Sequence, residues 1–380
     1  MTDGNRWLRP AAHPLPTYAG CMAAGRPIAD DVTDGDMQQV VIHRHGALHA
    51  IVAIHDTTLG PALGGTRFRA YDTERAALVD AMRLARGMTS KSALAGLALG
   101  GGKAVIIGEP SRLRSPELLD AYAALIDQLG GRYITAEDVG TTEADMDRLR
   151  LTTRWVVGGS TERGGRGDPS PATALGVRRA MEATAQHLWH DGLAGRHVAI
   201  QGLGKVGSAL ATLLLEAGCR LTVGDVRSDA TAALTAAAPG DVDVVPDDLV
   251  HRVRCDIFSP CALGAVLGAD TIAELHCAAV VGAANNQLVT HDDATRLDGA
   301  GVCWVPDYLA NAGGIIHVGA EWYGDDASVE AARIDGIAGT TAELLWVARD
   351  EGITTLEAAD RVVDARLAAQ RAEAQGPTSS

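Results

Sequence analysis

HVAIQGLGKVGSALATLLLEAGCRLTVGD, residues 197–225, is the stretch whose reading decides the fold. A short apolar run meets Gly202-x-Gly204-x-x-Gly207, an Ala/Leu-rich segment continues to about Ala217, and a second apolar run ends at Asp225. That order is strand, tight turn, helix, strand. The first glycine makes the turn, the second admits a pyrophosphate to the backbone, and the third lets helix pack on strand. The helix N-terminus offers amide donors and positive potential to the phosphates. Gly202, Leu203, Gly204, Lys205, Val206, Gly207 and Ser208 are therefore the candidate dinucleotide loop. Asp225 is placed to accept hydrogen bonds from the adenosine ribose hydroxyls, which favours NAD; Arg227 is the residue that would meet the 2′-phosphate of NADP.

Downstream of this βαβ unit, DIFSP, AAVVGAANN and VCWVPD read as further strands with helical segments between them. Residues 327–348 and 354–373 carry apolar residues at helical spacing, with Arg361, Arg366 and Arg371 expected on a solvated face. Upstream, GGSTERGGRGDPSP (158–171) reads as a loop and boundary, and the segment before it alternates strand and helix. MQQVVIHRHGALHAIVAIHDT suggests a hairpin around His45-Gly46, whose histidines at 43, 45, 49 and 55 are expected on a solvated strand face. GPALGGTRF reads as a turn-rich segment that lets backbone come close to a neighbour. Thr73 is a candidate cap for a helix with Ala76, Ala77, Val79, Met82, Leu84 and Ala85 on its apolar face, running toward Lys91. AVIIG and RYITAED read as strands around the helix SPELLDAYAALIDQLGG, the second ending in Glu137 and Asp138. The fold class expected is α/β with two domains: an arm at 1–36, a substrate domain at 37–157, a Rossmann-type domain at 158–335, and C-terminal helices at 336–380.

Lysine is scarce. Of 33 basic residues only Lys91, Lys103 and Lys205 are lysine, each in or beside a glycine-rich turn. An ammonium can lose its proton where a guanidinium does not, so lysines kept in an arginine-rich chain point to acid–base work. GGGK at 100–103 is not a phosphate loop: Leu97 and Ala104 stand where such a loop needs Gly and Ser or Thr. The alternative is that Lys91 and Lys103 share a site. Mutual repulsion and burial lower their proton affinity, so that one acts as base and the other holds a carboxylate, with Asp138 as proton shuttle. The plainer reading makes both lysines surface charges and Asp138 a helix cap.

Composition narrows the partners. A formal net charge of −15 argues against nucleic acid or an anionic membrane, and no apolar run is long enough to span a bilayer. The six cysteines (21, 219, 255, 261, 277, 303) lack metal-site spacing and read as small buried residues, with a cytoplasmic location expected and no metal.

GPALGGTR, LARGMTSK, AGLALGGGKAVIIG, YITAEDVGTT, DPSPATALGV, QGLGKVG, GAANNQL and PDYLANAGG together resemble the leucine/valine/phenylalanine dehydrogenases of the wider glutamate dehydrogenase-like family. The likeness runs from about Met37 to about Arg371. It implies reversible oxidative deamination of an L-amino acid by NAD and water to a 2-oxo acid and ammonium, in a cleft between two domains, by a homo-oligomer. Carried over, Lys91 matches the carboxylate-binding lysine, Lys103 and Asp138 the catalytic pair, and Gly64 and Gly65 substrate-lining backbone. Asn285 and Asn286 match amides near substrate and nicotinamide, and Thr173 a cofactor contact. The side-chain pocket is implied at Leu63, Met88, Ala136, Ile315 and Val318, all apolar, which leaves a glutamate side chain without a partner. A β-branched Ile315 restricts volume, so a branched-chain aliphatic substrate is expected, with L-phenylalanine as the alternative. Two other classes remain: an NAD-binding regulatory homologue without activity, and an oxidoreductase acting on another amine.

Overall fold

The computed structural model describes residues 37–375; the expected arm at 1–36 and Cys21 lie outside the described residues. Apolar runs and glycine breaks resolve into two sheets. β1 (Gln39–His45) and β2 (Leu48–Asp56) form the hairpin around His45-Gly46, with His45 opposite Leu48. After β3 (Ala62–Arg69) come α1 (Glu74–Leu94), β4 (Gly100–Ile107), the single turn α2 (Pro110–Leu113), α3 (Pro116–Gln128), β5 (Tyr133–Glu137) and α4 (Glu143–Leu149). The strand order is β1-β2-β4-β3-β5, antiparallel at β1–β2 and β2–β4 and parallel at β4–β3 and β3–β5.

Three local expectations need correction. GPALGGTRF is not turn-rich but contains the strand β3; the close backbone approach expected of its glycines is to a neighbouring strand, since a Cβ at Gly64 would overlap the Gly102 carbonyl on β4. Lys103 lies inside β4, not at a turn. Thr73 does cap α1, accepting from Ala76 N at 3.1 Å, but the buried row is Ala77, Leu78, Ala81, Met82 and Ala85, while Val79 is exposed. The face is turned toward β2 and β4, against which α1 packs.

The second sheet is built on the βαβ unit. α5 (Ser170–Trp189) leads to β6 (His197–Gln201), α6 (Lys205–Glu216) and β7 (Arg220–Gly224), each within a residue or two of the sequence reading. α7 (Ser228–Ala237), β8 (Val242–Val244), β9 (Ile257–Pro260), α8 (Ala269–Ala273), β10 (Ala279–Val280), α9 (Asp292–Gly299) and β11 (Cys303–Trp304) complete it. All six strands are parallel in the order β11-β10-β9-β6-β7-β8, which reverses direction between β6 and β9. A ligand crevice is expected there, at the carboxyl ends of the strands.

α10 (Asp307–Ala310), α11 (Gly313–Tyr323), α12 (Ala327–Glu351) and α13 (Thr355–Gln375) follow. α12 packs on α5, and position 335 falls inside it. α13 packs on α1. This contact overturns the solvated reading of Arg366, whereas Arg371 stays exposed as expected and still finds a carboxylate. Arg366 donates to the carbonyls of Ala93 and Leu94 at 2.7 and 3.1 Å, and Arg371 to Asp56 at 2.9 Å. The last carbonyls of α1 have no partner within their own helix, and Arg366 supplies one. Arg361 stays on the surface and pairs with Glu351. No helix is long and apolar enough to cross a membrane among the described residues.

Candidate functional site

Strand periodicity assembles one half of the candidate site. Successive side chains alternate between faces. The register puts Leu63 opposite Gly101 and Gly65 opposite Ala136, so Leu63, Gly65 and Arg67 share a face with Gly101, Lys103, Ala136 and Asp138. That is the face α1 covers. A Cβ at Gly101 would overlap Thr89 and the Ala85 carbonyl, so glycine brings the last turns of α1, with Met88 and Lys91, directly over the strand ends. The opposite face holds the core of Leu48, Ala50, Val52, Phe68, Ala104 and Ile106 with α3.

Lys103 Nζ lies 2.6 Å from Asp138 Oδ2, and only 8% of the lysine side chain is exposed. Burial lowers the proton affinity of Lys103, and the pull of Asp138 offsets this only in part. Burial also opposes the charge on Asp138, but Lys103 and Arg67 outweigh it and hold the carboxyl below its usual range. The turn after β5 is fixed by Thr141, whose hydroxyl accepts from Asp138 N at 2.9 Å and donates to Thr66 O at 3.0 Å. The cap of α4 is Thr142, in a capping box with Asp145, so Asp138 has no capping duty. Lys91 keeps some exposure. Burial brings it down to about 8, against the pull of Asp307 and Asp138 and with the push of Lys103.

The other wall comes from α11, which carries Ile315 (6% exposed) and the half-buried Val318. A Cβ on Gly319 would touch Leu97 and Leu99, which places this helix against the segment between Lys91 and Lys103. Leu63, Ala136 and Ile315 belong to one apolar core, against which Met88 and Val318 pack. Thr173 on α5 sits beside Gly314, its hydroxyl donating to Pro169 O at 2.9 Å.

At the dinucleotide loop, Gly202 has φ +97°, a conformation open to glycine, and a Cβ at Gly207 would overlap the Gly202 carbonyl. Gly204 faces open space and caps α6 without a side-chain bond, leaving first-turn amides to a ligand. Leu203 and Gly207 are buried, Val206 is half-buried, and Lys205 is exposed, pairing with Asp168 at 3.1 Å. Ser208 turns its hydroxyl back to Leu203 O at 2.9 Å. Asp225 accepts from Leu203 N (2.6 Å) and Arg227 N (2.7 Å). Burial opposes its charge, but these amides and the Arg227 side chain hold it ionised. A cavity of about 810 Å³ is lined by Gln201, Gly202, Gly204, Asp225, Arg227 and Cys261 among others. Open amides, a glycine cradle and a fixed carboxylate fit the adenosine and pyrophosphate of a nicotinamide dinucleotide.

Asn285 and Asn286 are exposed on the loop after β10, Asn286 at φ +54°. Asp307 holds that loop by accepting from Asn286 N at 2.9 Å, and Asn311 donates to Asn285 Oδ1 at 2.8 Å. Asp307 and Asn311 were not singled out from the sequence, although both lie in PDYLANAGG. Arg67 was missed too, although it ends the motif GPALGGTR. Asp307 is buried, which raises its carboxyl above the usual range despite the Asn286 amide and the Lys91 cation.

Family models match over most of this chain: the "Glu/Leu/Phe/Val dehydrogenase, dimerisation domain" over residues 37–155 and "Glutamate/Leucine/Phenylalanine/Valine dehydrogenase" over 164–231 and 222–335. Valine dehydrogenase of Streptomyces albus is 47% identical over 89% of this chain and 94% of its own. Leucine dehydrogenase of Bacillus subtilis is 44% identical over 88% and 93%. The crystal structure of L-tryptophan dehydrogenase from Nostoc punctiforme superposes with a TM-score of 0.81 at 38% identity, covering 88% of this chain and 97% of that one. With its βαβ unit, its buried Lys103–Asp138 pair and these relatives, the chain belongs to the Glu/Leu/Phe/Val dehydrogenase family.

Proposed function

We propose that the chain catalyses the NAD-dependent, reversible oxidative deamination of a branched-chain aliphatic L-amino acid to its 2-oxo acid and ammonium. The observation that carries the reading is the Lys103–Asp138 pair, facing a side-chain pocket whose five candidate residues are all apolar. The names of the Streptomyces and Bacillus relatives support the substrate class. Bound NAD would supply the hydride acceptor. The chain's own residues do the rest. Lys91 holds the substrate carboxylate as an ammonium. Lys103 in its neutral form takes a proton from the water that attacks the imine carbon, and the resulting ammonium then stabilises the carbinolamine. Asp138 moves protons at the departing amine. Gly64 and Gly65 offer backbone to the substrate, and Asn285 and Asn286 offer amides on the nicotinamide side. Asp225 favours NAD over NADP, because a fixed carboxylate repels a 2′-phosphate. A homo-oligomer is expected, in keeping with the dimerisation domain named for residues 37–155.

The test is kcat/KM for L-Val, L-Leu, L-Ile and L-Phe with NAD and with NADP, followed as reduced nicotinamide. An aliphatic preference with NAD is expected; a clear preference for L-Phe would overturn the substrate assignment. An aromatic substrate is the second reading, since a relative of similar fold is named for L-tryptophan.

A further inference from the structure

Behind the Lys103–Asp138 pair lies a polar chain that the deamination reading leaves unused. Arg67 Nε donates to Asp138 Oδ2 at 3.2 Å, the same oxygen that Lys103 meets at 2.6 Å. Arg67 Nη1 donates to Asp80 Oδ2 at 2.9 Å. Asp80 is held in turn by Tyr71 Oη (2.7 Å) and Arg83 Nη2 (3.0 Å). Arg67 and Asp80 expose only 19% and 16% of their side chains, so this is an internal brace and not a solvated surface pair.

We propose that Arg67 is a positioning residue of the reaction: its guanidinium, shared between Asp138 and Asp80, fixes the Asp138 carboxylate and keeps Lys103 from being locked beside it as a permanent ammonium. The inference rests on the reading of Lys103 as the base. A lysine facing a lone buried carboxylate is stabilised in its charged form and makes a poor base. Arg67 changes this in two ways. It takes up part of the negative charge of Asp138, and as a nearby cation it opposes a second positive charge on Lys103. Asp80 acts in the opposite sense, favouring the Lys103 ammonium. A guanidinium suits the position because its planar fork reaches two carboxylates and it stays charged throughout the working pH range.

The charged groups facing Lys103 come from every packed element. β3 gives Arg67; α1 gives Asp80 and Lys91; the turn after β5 gives Asp138; α10 gives Asp307, which acts on Lys91. On β2, Ala53 is opposite Lys103, with His55 bonded to Thr89 and Asp56 bonded to Arg371 further along.

The experiment is the pH profile of kcat/KM for oxidative deamination of L-valine and L-leucine by full-length wild type, Arg67→Gln, Arg67→Lys and Asp80→Asn. Removing the Arg67 charge makes Lys103 hold its proton more tightly, so the acid limb of Arg67→Gln is expected to move up by about one to two pH units. Activity is then lost about ten- to a hundredfold at neutral pH and regained in part as the pH rises, up to where Lys91 gives up its own proton. Asp80→Asn removes a negative charge and should move the limb down. Arg67→Lys keeps the charge but not the fork: its limb stays near that of wild type while kcat falls. Equal proportional loss at every pH in Arg67→Gln, or limbs moving the same way in Arg67→Gln and Asp80→Asn, would overturn the proposal. If Arg67→Gln fails to fold, Asp80→Asn carries the sign alone, and an unmoved or raised limb refutes it. Lys103→Arg separates the two levels. If it keeps turnover, the base assignment fails; if it loses turnover while the other limbs stay fixed, only the role of Arg67 fails.

Discussion

Lys91 and Lys103 differ in what stands opposite each of them. Lys103 faces Asp138 at 2.6 Å, whereas Lys91 lies within the field of Asp307. Lys103→Arg is expected to lose about 10²–10⁴-fold in kcat, because a guanidinium stays protonated where a base is needed. Lys91→Arg keeps the charge and should mainly raise KM for the amino acid, about ten- to a hundredfold. Steady-state kinetics of the two variants check the contrast, and near-normal kcat in Lys103→Arg would reverse the assignment. Ile315 is buried where α11 meets the apolar pocket. Ile315→Ala enlarges it and should shift the kcat/KM ratio toward L-phenylalanine by about tenfold or more; an unchanged ratio removes Ile315 from the pocket. Most of these residues were legible in the sequence through the scarcity of lysine and the family motifs. The role of Arg67 was not, because an arginine at the end of a motif string shows no task until its neighbours are known.

Among the elements, β3 shows a strand hidden by its glycines. The close backbone approach was legible, but a glycine pair usually marks a turn, and here it lies within a strand flanked on both sides. Gly64→Ala would push β3 off β4 and is expected to cost about 1–3 kcal/mol or more in stability, with loss of activity, since β3 and β4 carry Arg67 and Lys103. Chemical denaturation and activity measured together check this, and a fully stable, active variant would remove the packing reason for glycine. The βαβ unit was read nearly to the residue, because its signals are local: strand, three glycines, helix and acid follow one another in the chain. The short strands β10 and β11, two residues each in the hydrogen-bonded ladder, were located only as apolar runs.

For the whole molecule, the return of α13 onto α1 supports the end of the helix that carries Lys91. Arg366→Ala leaves the Ala93 and Leu94 carbonyls without that donor and is expected to cost about 1–2 kcal/mol. It should raise KM for the amino acid more than for NAD, because the dinucleotide loop is on the other sheet. Thermal unfolding and paired KM values check it; an equal rise in both would mean that the effect is global. The sequence by itself determined the α/β class, the dinucleotide loop, the candidate lysines and Asp138, and the family, all of which rest on short-range order or on motifs that survive as strings. Only the tertiary structure decided that Arg366 is structural, that Asp307 lies near Lys91, and that Arg67 and Asp80 stand behind the Lys103–Asp138 pair. A charged side chain has the same letter whether water or a buried carboxylate surrounds it. Which of the two it meets is set by packing between elements far apart in the chain.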